Sequence, residues 1–204
     1  LESMATNAYW LNQAIEELRN YSLINRDSEK KILSVHRLVQ AVLQDAMPVE
    51  MRKQWKERVM NAVNATFPGL EPSHWTACEQ WLPHAFICAE WIKQEQMMTP
   101  VASHLLAQAG LYLKERAQYT QAELFLQQTL TIDEQAYGPE HPEVAAALNN
   151  LACLYWNQGK YRETEPLFQR ALAIRQQHLG HEDPATAETL QNLACLYQTQ
   201  GKNE

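Results

Sequence analysis

Leu151-Ala152-Cys153-Leu154-Tyr155 returns, letter for letter, as Leu193-Ala194-Cys195-Leu196-Tyr197. The spacing is 42 residues, and it holds without a gap in both directions. Gly159-Lys160 falls on Gly201-Lys202, and Gly138 on Gly180. Towards the N-terminus, Tyr161 falls on Tyr119, Glu165 on Glu123, Leu172 on Leu130, Ile174 on Ile132 and Pro184 on Pro142. Four of the six glycines thus form two pairs at one spacing, which marks residues 101–204 as a repeat array.

Each unit reads as two helices. Over Val144 to Asn157 the apolar residues 144, 148, 151, 152 and 155 form one amphipathic stripe. Pro142 precedes it, where a missing N–H costs nothing, and Gly159 ends it. A second helix is predicted from Arg162 to His178, with Leu167, Phe168, Ala171, Leu172 and Ile174 inward. Leu179 to Pro184 breaks the chain before the next unit. Small residues at Ala152, Ala171 and Ala194 would let paired helices approach closely. The array counts two full repeats and the first helix of a third.

These residues resemble the tetratricopeptide repeat in the 42-residue form of kinesin light chains. The first-helix pattern is carried by Leu148, Leu151, Ala152, Tyr155, Gly159 and Tyr161, the second by Phe168 and Ala171, and the connector by residues 137–145. Thr164 stands where the family usually has alanine, and Ala117 replaces the turn glycine of the first repeat. The resemblance implies a mainly α fold, an α-solenoid whose first helices line a concave groove. Its groove positions here are His104, Ala107, Leu111 and Lys114; Ala146, Asn149, Cys153 and Trp156; and Glu188, Gln191, Cys195 and Gln198. Of these, His104, Lys114, Asn149, Cys153, Trp156, Gln191 and Gln198 are the expected ligand-binding set. An Asn amide both donates and accepts, which suits a peptide backbone, and a Trp offers a large apolar contact with one donor.

The first hundred residues differ. Met4 to Asn20 reads as a helix with Ala8, Leu11, Ile15 and Leu18 on one face. Two β-prone runs around a polar turn, within residues 21–35, predict a hairpin. His36 to Ala46 is helical again, with Leu38, Val39, Val42 and Leu43 inward. Helix, hairpin, helix over residues 1–47 resembles the winged-helix tail of NB-ARC (STAND-type) signal-transduction NTPases. Ser34-Val35-His36-Arg37-Leu38-Val39-Gln40 matches that family's "MHD" site, with Val35 for Met, His36 for His, and Arg37 where Asp is usual. The resemblance implies that His36 senses nucleotide in a full-length parent by contacting the β-phosphate of ADP; the plainer reading makes it a capping residue at a helix start. Residues 48–100 are predicted to be a helical linker, with helices over Val49–Phe67 (Trp55, Val59, Ala62, Val63 inward) and Cys78–Gln94 (Trp81, Leu82, Ala85, Ile87, Cys88, Trp91). Five of six tryptophans precede residue 100, which predicts a core of its own for this part.

The composition excludes several classes. With 46% hydrophobic and 20% charged residues, the 204-residue chain can bury a core. No apolar run approaches the length of a membrane helix, and no signal peptide is visible. A net charge of -7 argues against a nucleic-acid backbone binder. Cys78, Cys88, Cys153 and Cys195 form no CxxC pair, so no zinc or redox motif is present and a reducing cytoplasm is expected. No GxxxxGK[ST] loop occurs, so no cofactor is expected here; ADP or ATP would bind only in an upstream domain. Leu1-Glu2-Ser3 in place of an initiator Met predicts a piece of a longer protein. His178, His181, Glu182 and Asp183 sit in an interrepeat loop without a fixed scaffold, which argues against a metal site, and His141 and His181 read as polar loop residues. His84 in an apolar helix reads as a core histidine.

The expectation is a non-catalytic sensor or protein-interaction region of a signalling NTPase, with a peptide or protein in the groove. The alternative is a stand-alone kinesin-light-chain-like scaffold. No enzyme constellation is present, and neither nucleic acid nor membrane is an expected partner.

Overall fold

Proline and a capping side chain begin each unit of the array. Thr99, His141 and Asp183 lie 42 residues apart, and each is followed by proline. The Thr99 hydroxyl accepts from the Ala102 N–H at 3.2 Å, His141 Nδ1 from the Glu143 N–H at 3.2 Å, and the Asp183 carboxylate from the Ala185 N–H at 2.8 Å. Each satisfies one of the orphan donors of a helix start. His141, read from sequence as a plain loop residue, is therefore a helix cap.

The computed structural model describes residues 16, 24–27, 32–36, 40, 42 and 45–201. The predicted helix over 4–20 lies outside them, apart from Glu16. So do Leu38, Val39 and Leu43. Two strands, β1 (Ile24–Asp27) and β2 (Ile32–Val35), pair antiparallel with Ile24 opposite Val35 and Asp27 opposite Ile32. They fall inside the stretch read as a hairpin, but a strand pair does not by itself define a winged helix. Val42, expected inward, is 66% exposed.

Seven helices follow among the described residues: α1 (Val49–Thr66), α2 (Trp75–Glu95), α3 (Pro100–Glu115), α4 (Tyr119–Tyr137), α5 (Pro142–Asn157), α6 (Tyr161–Leu179) and α7 (Pro184–Thr199). The chain divides into two units, residues 1–55 and 56–204. In the second, α3 packs on α4, α5 on α4 and α6, and α7 on α6, the succession of a helix-pair solenoid.

Four expectations for the linker are corrected. Residues before 100 have no separate core in the second unit: Met60, Val63, Phe67, Cys78, Cys88 and Ile92 join Leu105, Leu106, Tyr112 and Leu126 in one cluster. The first helix also buries a neighbouring stripe, Met60, Val63 and Phe67, leaving Val59 and Trp55 substantially exposed. Two overlapping apolar stripes run along this helix. The one aligned with Lys56, which pairs with Glu95 of α2, is the one buried. On α2, Ile87 is 44% exposed, and His84 is an exposed residue beside the Trp81 ring rather than a core histidine.

The helix-to-helix turns show why glycine recurs. Gly159 has φ +74 and Gly201 φ +69, and Ala117, their counterpart in the first repeat, is forced to φ +56. Close approach is set elsewhere. A Cβ on Gly110 of α3 would lie 3.0 Å from the Leu126 side chain of α4. Thr164, the departure from alanine, is fully buried and returns its hydroxyl to the Lys160 carbonyl at 2.8 Å.

Candidate functional site

The first helices of the repeats, α3, α5 and α7, bring the predicted groove residues into one series. His104 on α3 is exposed and bonds through Nδ1 to Asn64 Oδ1 of α1 at 2.8 Å and through Nε2 to Gln108 at 3.1 Å. Lys114 is half-buried, near Glu115 at 3.2 Å. On α5, Cys153 and Trp156 are half-buried; on α7, Gln191 and Gln198 are exposed. Burial raises the Cys153 thiol above its ordinary range even with Lys114 and Arg175 opposing it, so a thiolate nucleophile is disfavoured there. Cys88, deeper on α2, is pushed up to about 11 by burial.

Asn149 is a correction in part. Expected to offer its amide to a peptide, it is only 4% exposed. Its side-chain oxygen accepts from Asn192 of α7 at 3.3 Å, and Asn192 also reaches Cys153 Sγ at 3.9 Å. The sequence reading missed Asn192. The signal was present, since Asn150 and Asn192 are equivalent positions at the 42-residue spacing, one residue after Asn149 and Gln191. Trp156 likewise has a structural share, packing against the cluster of Ala152, Phe168, Leu193 and Leu196.

Among the described residues, hollows open on the second unit, two of which bear on the site. The larger, about 540 Å³, lies between α2 and α4 and is lined by Phe86, Lys93, Leu124, Phe125 and several glutamines. It holds none of the predicted residues. A smaller one, about 330 Å³, lies among α3, α4 and α5 and includes the groove positions His104, Ala107 and Ala146. At its back is Asp133 of α4, 4% exposed, which sequence reasoning passed over. Burial raises its carboxyl above the usual range and Glu143 adds to this, while a hydrogen bond from Ser103 and the nearby His141 work the other way.

Among the described residues no group of three or more His, Cys, Asp or Glu side chains could hold a metal ion, and no helix is long and apolar enough to cross a membrane. The geometry defines an α-helical repeat scaffold with an accessible first-helix face. The chain belongs to the tetratricopeptide repeat family, whose model matches residues 101–177 and 154–204. Tetratricopeptide repeats form protein-interaction scaffolds. A second model, described only as a domain of unknown function (DUF7779), matches residues 2–52. No curated protein matches the chain. Among solved structures, BtubC (BKLC) from P. vanneervenii is 22% identical with a TM-score of 0.57, covering 64% of this chain and 52% of that one. A Podosopora anserina protein described as a kinesin light chain with nearly identical TPR-like repeats is 19% identical with a TM-score of 0.57, covering 71% of this chain and 67% of that one. A point-substituted form of it gives 18% and 0.58, covering 71% and 66%. The chain spans about half to two thirds of the length of these structures, and the likeness establishes the fold.

Proposed function

We propose that this chain is the non-catalytic sensing and protein-interaction region of a signal-transduction NTPase, holding a peptide or protein segment against the first-helix face of its repeats. The observation that carries the binding role is the accessible face of α3, α5 and α7, where His104, Lys114, Cys153, Trp156, Gln191 and Gln198 are reachable and the Asn149–Asn192 pair lies between two of the helices. Repeat arrays use such surfaces for recognition. What supports the NTPase parentage is the sequence motif Ser34 to Gln40, whose Ser34 and Val35 end β2 and which lies within the segment matched by the domain of unknown function. In this reading residues 1–47 are a winged-helix tail, 48–100 a helical linker and 101–204 the sensor. His36, exposed just after β2, contacts nucleotide held by an upstream domain.

The second reading, a stand-alone kinesin-light-chain-like scaffold, draws on the solved structures that share the fold. Two experiments separate the parts. Selection of a displayed random-peptide library on the chain should enrich binders that Trp156→Phe weakens; failure to enrich anything would remove the groove role. His36→Ala in the full-length parent should loosen ADP and raise basal signalling. Unchanged ADP affinity and signalling would remove the sensor role and leave the scaffold reading.

A further inference from the structure

We propose that the 330 Å³ cavity among α3, α4 and α5 is a pocket for the guanidinium of an arginine side chain carried by the bound peptide. The inference rests on the groove reading above and names what one ligand residue presents.

The argument comes from comparing one repeat with the next. Asp133 and Arg175 are equivalent positions at the 42-residue spacing, and both are almost fully buried, 4% and 6% exposed. Arg175 crosses from α6 to α7, where one terminal nitrogen donates to the Ala185 carbonyl at 2.7 Å and the Thr189 hydroxyl at 2.6 Å, with Glu188 at 3.5 Å. The counterparts of Ala185, Glu188 and Thr189 one repeat earlier are Glu143, Ala146 and Ala147. All three line the cavity. The space that a guanidinium fills between α6 and α7 is therefore open between α4 and α5, because the short Asp133 stands where the long Arg175 would reach across.

The electrostatics of the open site are inverted to match. Where the later repeat supplies its own cation, the earlier one supplies a buried carboxylate, with a second at Glu143 on the rim. Among the described residues neither carboxylate forms an ion pair with a lysine or arginine. A buried carboxylate without a cation is costly, and a planar guanidinium donating two parallel bonds is the group that best offsets it. His104 and Ala146 place the mouth on the groove face, so a side chain from a peptide lying there can enter. A cavity of this size exceeds the roughly 30 Å³ share of one water several-fold, leaving room for a guanidinium and residual water. The overall charge of -7 favours a cationic ligand.

The test is an amide-resolved NMR titration of the 204-residue chain with N-acetyl-arginine amide and with N-acetyl-citrulline amide, its uncharged isostere. The arginine compound should shift Ser103, Asp133 and Glu143 saturably, and citrulline should bind roughly tenfold or more weakly. Asp133→Asn, which keeps the shape and relieves a buried charge, should bring arginine down to the citrulline level, and Glu143→Gln should weaken it by less. Equal binding of the two compounds, arginine shifts that persist in Asp133→Asn, or no saturable shift would each overturn the pocket. A failed groove reading looks different: arginine amide still binds, but no longer peptide does. If library-selected peptides bind but tolerate arginine-to-citrulline exchange, the groove stands and the pocket falls.

Discussion

The Tyr155 hydroxyl of α5 donates to the Glu123 carboxylate of α4 at 3.2 Å, and one repeat later Tyr197 of α7 donates to Glu165 of α6 at 3.3 Å. In both, a glutamine four residues after the glutamate, Gln127 or Gln169, also reaches the tyrosine oxygen, at 2.9 and 3.1 Å. The bond links the second helix of one unit to the first helix of the next, so it is an inter-repeat tie. Glu123 gathers three further donors, Gln127 of its own helix at 3.3 Å, Gln158 at 3.3 Å and Lys160 at 2.9 Å. Tyr155→Phe should cost about 1 kcal/mol in a denaturant melt, the ordinary net value of one such bond. An unchanged midpoint would mean that Gln158 and Lys160 alone hold the junction.

Glu123 also sets a pH dependence. Burial works to raise its carboxyl, but hydrogen bonds from Lys160, Gln158 and Tyr155 together outweigh this and hold it below its ordinary 4.5. A depressed folded value means the stabilisation is present above the unfolded pKa and is lost as pH falls through the folded one. Glu123→Gln should therefore lower stability at neutral pH and flatten the acid limb below about pH 4.5. Asp133 has the opposite sign. Its folded value is raised above 3.8, so its contribution is present below that pH and fades as pH rises. Asp133→Asn should leave the protein at least as stable at neutral pH, measured by thermal melts across pH 3 to 8 (a range of about five units, spanning both carboxylates). Loss of stability in that variant at pH 7 would contradict the direction given for Asp133.

Ala117 holds a left-handed conformation that costs a side-chain-bearing residue about 1–2 kcal/mol. Glycine there gains that back and loses part to the freer unfolded chain. Ala117→Gly should raise the melting midpoint, by up to about 1 kcal/mol of stability, whereas Gly159→Ala should lower it. A destabilised Ala117→Gly would show that the Ala117 methyl makes contacts worth more than the strain.

Gly110 answers a different demand. Its counterpart in the next repeat is Ala152, yet a methyl here would meet Leu126 Cδ2 and Cγ at 3.0 Å and Phe125 Cβ at 3.3 Å. Gly110→Ala should cost about 1–3 kcal/mol by overpacking, despite alanine's better helix propensity. A neutral or stabilising result in a chemical melt would mean that α3 and α4 slide apart at little cost.

Trp156→Ala would confuse binding with folding, because the indole covers the third apolar cluster. Trp156→Phe keeps an aromatic over Leu193 and Leu196. It should leave the melt within about 1 kcal/mol while weakening selected peptides by about 1–3 kcal/mol if the indole is an anchor. Equal affinity for wild type and Trp156→Phe would place the anchor elsewhere.

The repeat array was legible because its period is written twice over, in the Leu-Ala-Cys-Leu-Tyr block and in the glycines that carry positive φ. Helix ends agreed within two residues for the same reason, Pro142 and Gly159 being local punctuation. The linker was harder. The helix at 49–66 carries two apolar stripes about one residue apart, and only contact with α2 and α3 decides between them. At the groove, residue types were readable but their commitments were not. Nothing near Asn149 announces that Asn192 takes its oxygen, and the cavity at Asp133 becomes visible only when Arg175 is seen filling the same place one unit later.

The caps at Thr99, His141 and Asp183, each with its following proline, make the joints of this array interchangeable. Removing residues 142–183 would splice His141 onto Pro184, and the new joint would again be a capping side chain followed by proline. The shortened chain keeps its frame, but Arg175 leaves with the deleted segment. Asp133 would then face Ala185, Glu188 and Thr189, so the excision that preserves the scaffold would redraw the charge of its pocket. Length and recognition are thus separately editable: the punctuation governs how many units can be strung together, and the residue at the Asp133/Arg175 position governs what each junction admits.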